Sequence, residues 1–92
     1  MSVTWGKWVD AWRQGTNTND SSHIEAVITQ DFKWNTSDFD RQATLDWVNT
    51  TNFRVVGDVV TLYENNEIIV GTHQVNSGDS VDTVMGVAYL RD

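Results

Sequence analysis

An α+β fold, with three N-terminal helices packed on a curved antiparallel sheet, is predicted by three observations. The C-terminal stretch holds three β-type runs, residues 53–63, 67–75 and 81–90. Asn65-Asn66 and Gly78-Asp79 separate them, and such dipeptides readily take the positive φ of tight hairpin turns. Ahead of these runs the apolar spacing changes from two to three or four, the signature of helices. At 92 residues, without a Pro- or Gly-rich linker, the chain is one domain. Helices followed by a meander give a cone-shaped body.

The first helix is capped by Ser2 or Thr4 and runs to about Gln14, with Gly15 as its stop. Trp5, Trp8, Val9 and Trp12 sit at i, i+3, i+4 and i+7, one apolar stripe, with Lys7, Asp10 and Arg13 away from it. Residues 16–20 form a polar loop. Ser22 followed by Glu25 is a capping box, so a short second helix starts at His23 and turns Ile24, Val27 and Ile28 inward. Residues 31–35 read as a short strand. Asp38 or Asp40 caps a third helix from Arg41 to about Asn49, with Leu45 and Val48 inward.

Two-residue turns fix a register for the meander. Around Asn65-Asn66, Leu62 faces Ile69, Val60 faces Gly71 and Asp58 faces His73. Around Gly78-Asp79, Gly71 faces Gly86, His73 faces Val84 and Val75 faces Asp82. Alternation then gathers Val56, Asp58, Val60, Leu62, Ile69, Gly71, His73, Asp82 and Val84 on an inner face. The outer face holds Thr61, Tyr63, Thr72, Met85 and Tyr89, a polar and aromatic mixture of the kind found at dimer surfaces. Gly57 is where a bulge would enter, and a bulge there would turn Asp58 to the other face.

Composition excludes several functions. Six Lys and Arg against thirteen Asp and Glu give a net charge of −7, and the cations are scattered. Such a chain repels the phosphate backbone, so nucleic acid is not expected as a partner, and anionic membrane surfaces are disfavoured likewise. No apolar run approaches the ~20 residues of a membrane span. Without Cys or a leader-like segment, a cytoplasmic location is expected, and the sequons at Asn19, Asn35 and Asn49 carry no meaning. His23 and His73 lack metal-ligand spacing, so no metal or cofactor is expected.

Several stretches resemble the nuclear transport factor 2-like superfamily, which includes SnoaL-like cyclases and ketosteroid isomerases. They are Trp8-Val9-Asp10-Ala11-Trp12-Arg13-Gln14-Gly15, Asp31-Phe32-Lys33-Trp34, Tyr63-Glu64-Asn65-Asn66-Glu67-Ile68-Ile69-Val70, and the run from Val84 to Asp92. The resemblance lies in element order and apolar positions and covers nearly the whole chain. It implies a cystatin-like roll, a helix-lidded pocket and a homodimer built on the outer sheet face. It also implies a further strand after Arg91 and Asp92, whose absence leaves residues 81–90 as an open edge. The isomerase acid, base and Tyr positions fall near Gly86, Thr36 and Trp8, none of which can do that chemistry.

Two functions follow. In the first, a small apolar molecule sits among Trp12, Trp8, Leu62, Ile69, Asp82 and Val84, and His73 oriented by Asp58 acts as a general base in cyclase-, isomerase- or hydrolase-like chemistry. The opposed glycines Gly71 and Gly86 favour it by leaving space. In the second, the Trp residues fill the interior, His73 is a structural strand residue, and the domain is a non-catalytic association module.

Overall fold

A computed structural model describes residues 3–34 and 39–90. Ser2, Asn35, Thr36, Asp38, Arg91 and Asp92 lie outside them. The described chain is a mixed α and β fold in the order α1 (Trp5–Thr18), α2 (Ser22–Glu25), β1 (Lys33–Trp34), β2 (Phe39–Asp40), α3 (Arg41–Thr50), β3 (Arg54–Glu64), β4 (Ile68–Asn76) and β5 (Val81–Tyr89). The last three strands form one antiparallel sheet in the order β3-β4-β5, and β1 pairs with β2 in a small hairpin that the sequence did not signal.

Helix α1 starts as expected, with Thr4 Oγ1 accepting from Lys7 N–H at 3.1 Å. It does not stop at Gly15. Asn19 takes the left-handed conformation (φ 52°) and ends the helix a turn later, while its side-chain amide donates to the Val48 and Thr51 carbonyls. Gly15 is small for another reason: a β-carbon there would lie 3.0 Å from Ile24 Cγ1. Helix α2 is a single turn and lacks the expected capping box, because Ser22 already belongs to the helix and its N–H is taken by the Asp20 carboxylate. Asp40 caps α3 through Ala43 N–H at 3.0 Å.

Two buried clusters share Trp12 at their border. Ile24, Leu45 and Val48 hold α2 and α3 against α1, and Trp5, Val9, Val55 and Ile69 hold α1 against the sheet. Of the three helices, α1 alone packs broadly on the sheet; α3 leans on α1 and the β1–β2 hairpin. The expectation of three helices on one sheet therefore reduces to one helix on the sheet with two behind it.

The hairpins differ in fidelity to the expected register. Between β4 and β5 pairing is continuous from Ile68 opposite Tyr89 to Asn76 opposite Val81. Gly78, at φ 101°, and Asp79 make the turn, closed by Ser77 N–H to Ser80 O at 3.1 Å. Between β3 and β4 the register is corrected. Asn65 Oδ1 accepts from the Glu67 and Ile68 amides, so the turn centres on Asn66 and Glu67 and needs no positive φ. Glu64 therefore faces Ile69, not Glu67. The ladder then slips at Leu62 and again across Gly57, Asp58 and Val59, with Gly57 at φ 71°.

These slips exchange the faces of β3. Val55 and Val59 pack inward with Trp5, whereas Val60 and Leu62, expected inside, are about half exposed. The inner-face assignments on β4 and β5 stand, since Gly71 pairs with Gly86 and His73 with Val84.

Candidate functional site

The inner face is built by α1 running antiparallel to β3. At one end the Trp5 amide donates to Glu64 Oε1 at 3.1 Å, placing a carboxylate where the helix dipole is positive. At the other end Asn17 exchanges two hydrogen bonds with the Val55 backbone, at 3.2 and 3.0 Å. Between them, Arg13 Nη2 donates to Gly57 O at 2.9 Å.

Trp5 occupies the space over the paired glycines. A β-carbon at Gly71 would overlap the indole, and one at Gly86 would come within 2.9 Å of it. The ring is 1% exposed and its Nε1–H donates to Thr72 O at 3.3 Å. The gap that favoured a pocket is thus filled from α1.

His73 lies next to this filled half. Its ring centroid is 6.2 Å from that of Trp5, and it faces Val84 across the β4–β5 ladder. Nδ1 is buried without a hydrogen-bond partner. Burial pushes the imidazole below its ordinary pKa; a backbone contact at Gln74 opposes this, and the Arg13 charge adds to it. Asp58 does not pair with it. The irregularity at 57–59 leaves His73 without a ladder partner on β3, and Asp58 is exposed there. The expected carboxylate–imidazole pair is therefore not formed, because the register that opposed the two residues is broken at the bulge.

The remaining predicted residues are dispersed. Ile69 is fully buried core, and Leu62 is exposed and off the inner face. Trp8 and Trp12 are partly buried and meet edge to face at 5.7 Å, with Phe32 beyond Trp8 at 6.2 Å. Val84 keeps 39% exposure, and Asp82 is exposed opposite Val75. A recess of about 260 Å³ opens elsewhere, among Gln30, Asp40, Arg41 and Gln42, and shares none of these residues. Among the described residues no cluster of His, Asp and Glu is arranged to hold a metal ion.

Arg13 is the residue that sequence reasoning set aside. Its signal was present: Trp5, Val9 and Arg13 stand at i, i+4 and i+8, one straight row on the helix. That row faces the sheet, so its third member reaches the bulge.

On the outer face, cross-strand rows bring Val60, Thr72 and Met85 together, then Tyr63, Val70 and Val87, then Ile68 and Tyr89. Tyr89 is 78% and Met85 67% exposed, and no helix among the described residues packs broadly on β5. Of thirteen acidic residues none holds a ladder-paired position on this face, and the guanidinium of Arg54, at its end, is turned to the Thr16 carbonyl and Asn19 side chain of α1. No helix among the described residues is long and apolar enough to cross a membrane. No family model, curated protein or solved structure matches the chain.

Proposed function

We propose that the chain is a nuclear transport factor 2-like domain that acts as a self-associating module, joining a second copy through the outer face of its sheet. The observation that carries this reading is the uncovered row structure of Val60, Tyr63, Met85, Val87 and Tyr89 in a protein of charge −7. Three strands at ordinary spacing make a face roughly 30 Å by 14 Å, about 400 Å² in plan. A face of this size, in which Thr72, Gln74 and Thr83 also lie, is within the range of the largest patches that monomers leave in water, and such patches often mark interaction sites. Met85, Tyr63 and Tyr89 on the two strands that flank β4, with charge kept off the ladder-paired positions, match interface composition. A two-fold axis would set the face on itself, as isologous dimers require, and ladder-paired positions without carboxylates let two acidic copies approach. The helix laid across a bulged antiparallel sheet supports the superfamily assignment and a cystatin-like roll.

The filling of the glycine gap by Trp5 favours this reading over an enclosed apolar-ligand pocket. Sedimentation equilibrium of the wild type against Met85→Lys and Val87→Lys tests it. The wild type is expected to be a dimer at micromolar concentration, with each substitution raising Kd at least about tenfold, roughly 1.4 kcal/mol, and leaving circular dichroism unchanged. A wild type that stays monomeric at high concentration would sink the proposal.

A further inference from the structure

Strand β5 lies at one edge of the sheet, and its pairing with β4 shows which of its backbone groups are free. Ser77 N–H to Ser80 O, at 3.1 Å, closes the ladder at one end, and Leu90 N–H to Glu67 O, at 2.8 Å, closes it at the other. Pairing between these ends is continuous, and bonded pairs alternate with non-bonded ones in an antiparallel ladder. Asp82, Val84, Gly86 and Ala88 therefore bond to β4. The N–H and C=O groups of Val81, Thr83, Met85, Val87 and Tyr89 point the other way, where no described strand lies. All five of these residues are exposed, and none is charged. Edges are ordinarily blunted by a bulge, a proline, a lysine or a cover. Strand β3, the opposite edge, is bulged; β5 has no bulge, no proline and no lysine.

We propose that β5 pairs antiparallel with β5 of a second copy, across a two-fold axis at Met85. The strand itself selects this occupant and this register. An unbroken edge needs an unbroken partner, and of the two edges that a copy offers only β5 is regular. With the axis at Met85, Val81 faces the second copy's Tyr89 and Thr83 faces the second copy's Val87. Every free backbone group from Val81 to Tyr89 then finds a partner, and an aromatic opposite a β-branched residue is a favourable cross-strand pair. Asp82, the single charge of the strand, faces the second copy's Ala88. The two Asp82 carboxylates are then roughly 20 Å apart along the strands, well beyond the ~8 Å screening length of physiological salt. An axis at Thr83 would bring them within roughly 7 Å, and one at Val87 would place Val81 and Thr83 outside the second copy's β5. The axis at Met85 stands normal to the sheet, so both outer faces look the same way. Edge pairing therefore goes beyond the face contact proposed above and leaves that face open.

Cysteine cross-linking reads the register, since the chain has no cysteine of its own. Asp82→Cys and Ala88→Cys are mixed and mildly oxidised; residues so opposed lie about 4.5 Å apart at Cα, within reach of a disulfide. The mixed disulfide is expected in at least about tenfold excess over the dimer from either variant alone, because pairing raises the effective concentration. Both positions lie on the inner face, so contact between outer faces cannot produce it. Thr83→Pro removes an outward N–H and keeps the ladder to β4. In that background the cross-link should fall to the level of the single variants, whereas Val60→Lys, which spoils the outer face, should leave it unchanged. Amide exchange of the wild type needs no substitution: the N–H groups of Val81, Thr83, Met85, Val87 and Tyr89 should slow at least about tenfold between micromolar and millimolar protein. Absence of the mixed disulfide, or free exchange of these amides at millimolar concentration, would each overturn the proposal. Free exchange in a protein that still dimerises would leave the face contact standing and the edge open to a strand of another protein.

Discussion

The two hairpins share β4 and otherwise differ in kind. The β4–β5 hairpin pairs without interruption over nine positions and presents an outer surface with no charge at its ladder-paired positions. The β3–β4 hairpin breaks its ladder twice and sends a backbone carbonyl toward Arg13 of α1. Regular pairing builds area, which suits association; irregular pairing re-aims individual groups, which suits a site. The sheet confines its bulges to one edge strand. The same division treats the two edges differently: bulges blunt β3 as a template for further strands, while β5 keeps a regular edge.

Substitutions at three positions separate the contributions of the two hairpins, in falling order of effect. Gly71→Val places a side chain where the Trp5 indole lies, so the regular hairpin loses its cover; destabilisation of about 3 kcal/mol is expected in urea unfolding. Retention of wild-type stability would mean that Trp5 does not rest on the glycine pair. Gly57→Ala strains the bulge instead. A left-handed φ costs a side chain ~1–2 kcal/mol, and the Gln74 side chain must also move aside. Restoration of regular pairing by this variant, seen as a cross-strand Val59–His73 contact in NMR, would show the bulge to be replaceable.

The smallest effect is on pH dependence. Burial, first among its causes, holds the folded-state pKa of His73 below 6.5. The unfolded chain therefore takes up this proton first as pH falls. Stability is full above about 6.5 and declines below it, and His73→Gln should flatten that part of the profile. An unchanged slope between pH 7 and 5.5 would show that His73 is protonated equally in both states.

Much of the architecture was legible because local chemistry specified it. Thr4 and Asp40 cap helices as their side chains dictate, Leu45 and Val48 face inward by helical spacing, and Gly78-Asp79 fixes the β4–β5 register through its one positive-φ glycine. The candidate site was legible only in part. His73 fell on the inner face because the second turn placed it there. Asp58 was misplaced because Asn65 captures two amides with its side chain, shifting the first turn by one residue, and because Gly57 adopts φ 71°. The turn shift and the 57–59 irregularity each move opposed pairs by two and keep the faces; the one-residue slip at Leu62 reverses them, and period-2 reasoning has no term for it. Arg13 was overlooked because a charged residue beside a tryptophan stripe is ordinarily solvated. Only the reach of α1 along β3 brings it to the Gly57 carbonyl.

Trp5 meets Thr72 across 67 positions of chain, and its amide meets Glu64 across 59. Neither partner exists when the helix is synthesised. During translation Trp5 therefore waits for its partners until the sheet has left the ribosome, and the glycine pair Gly71 and Gly86 receives it only when β5 has paired.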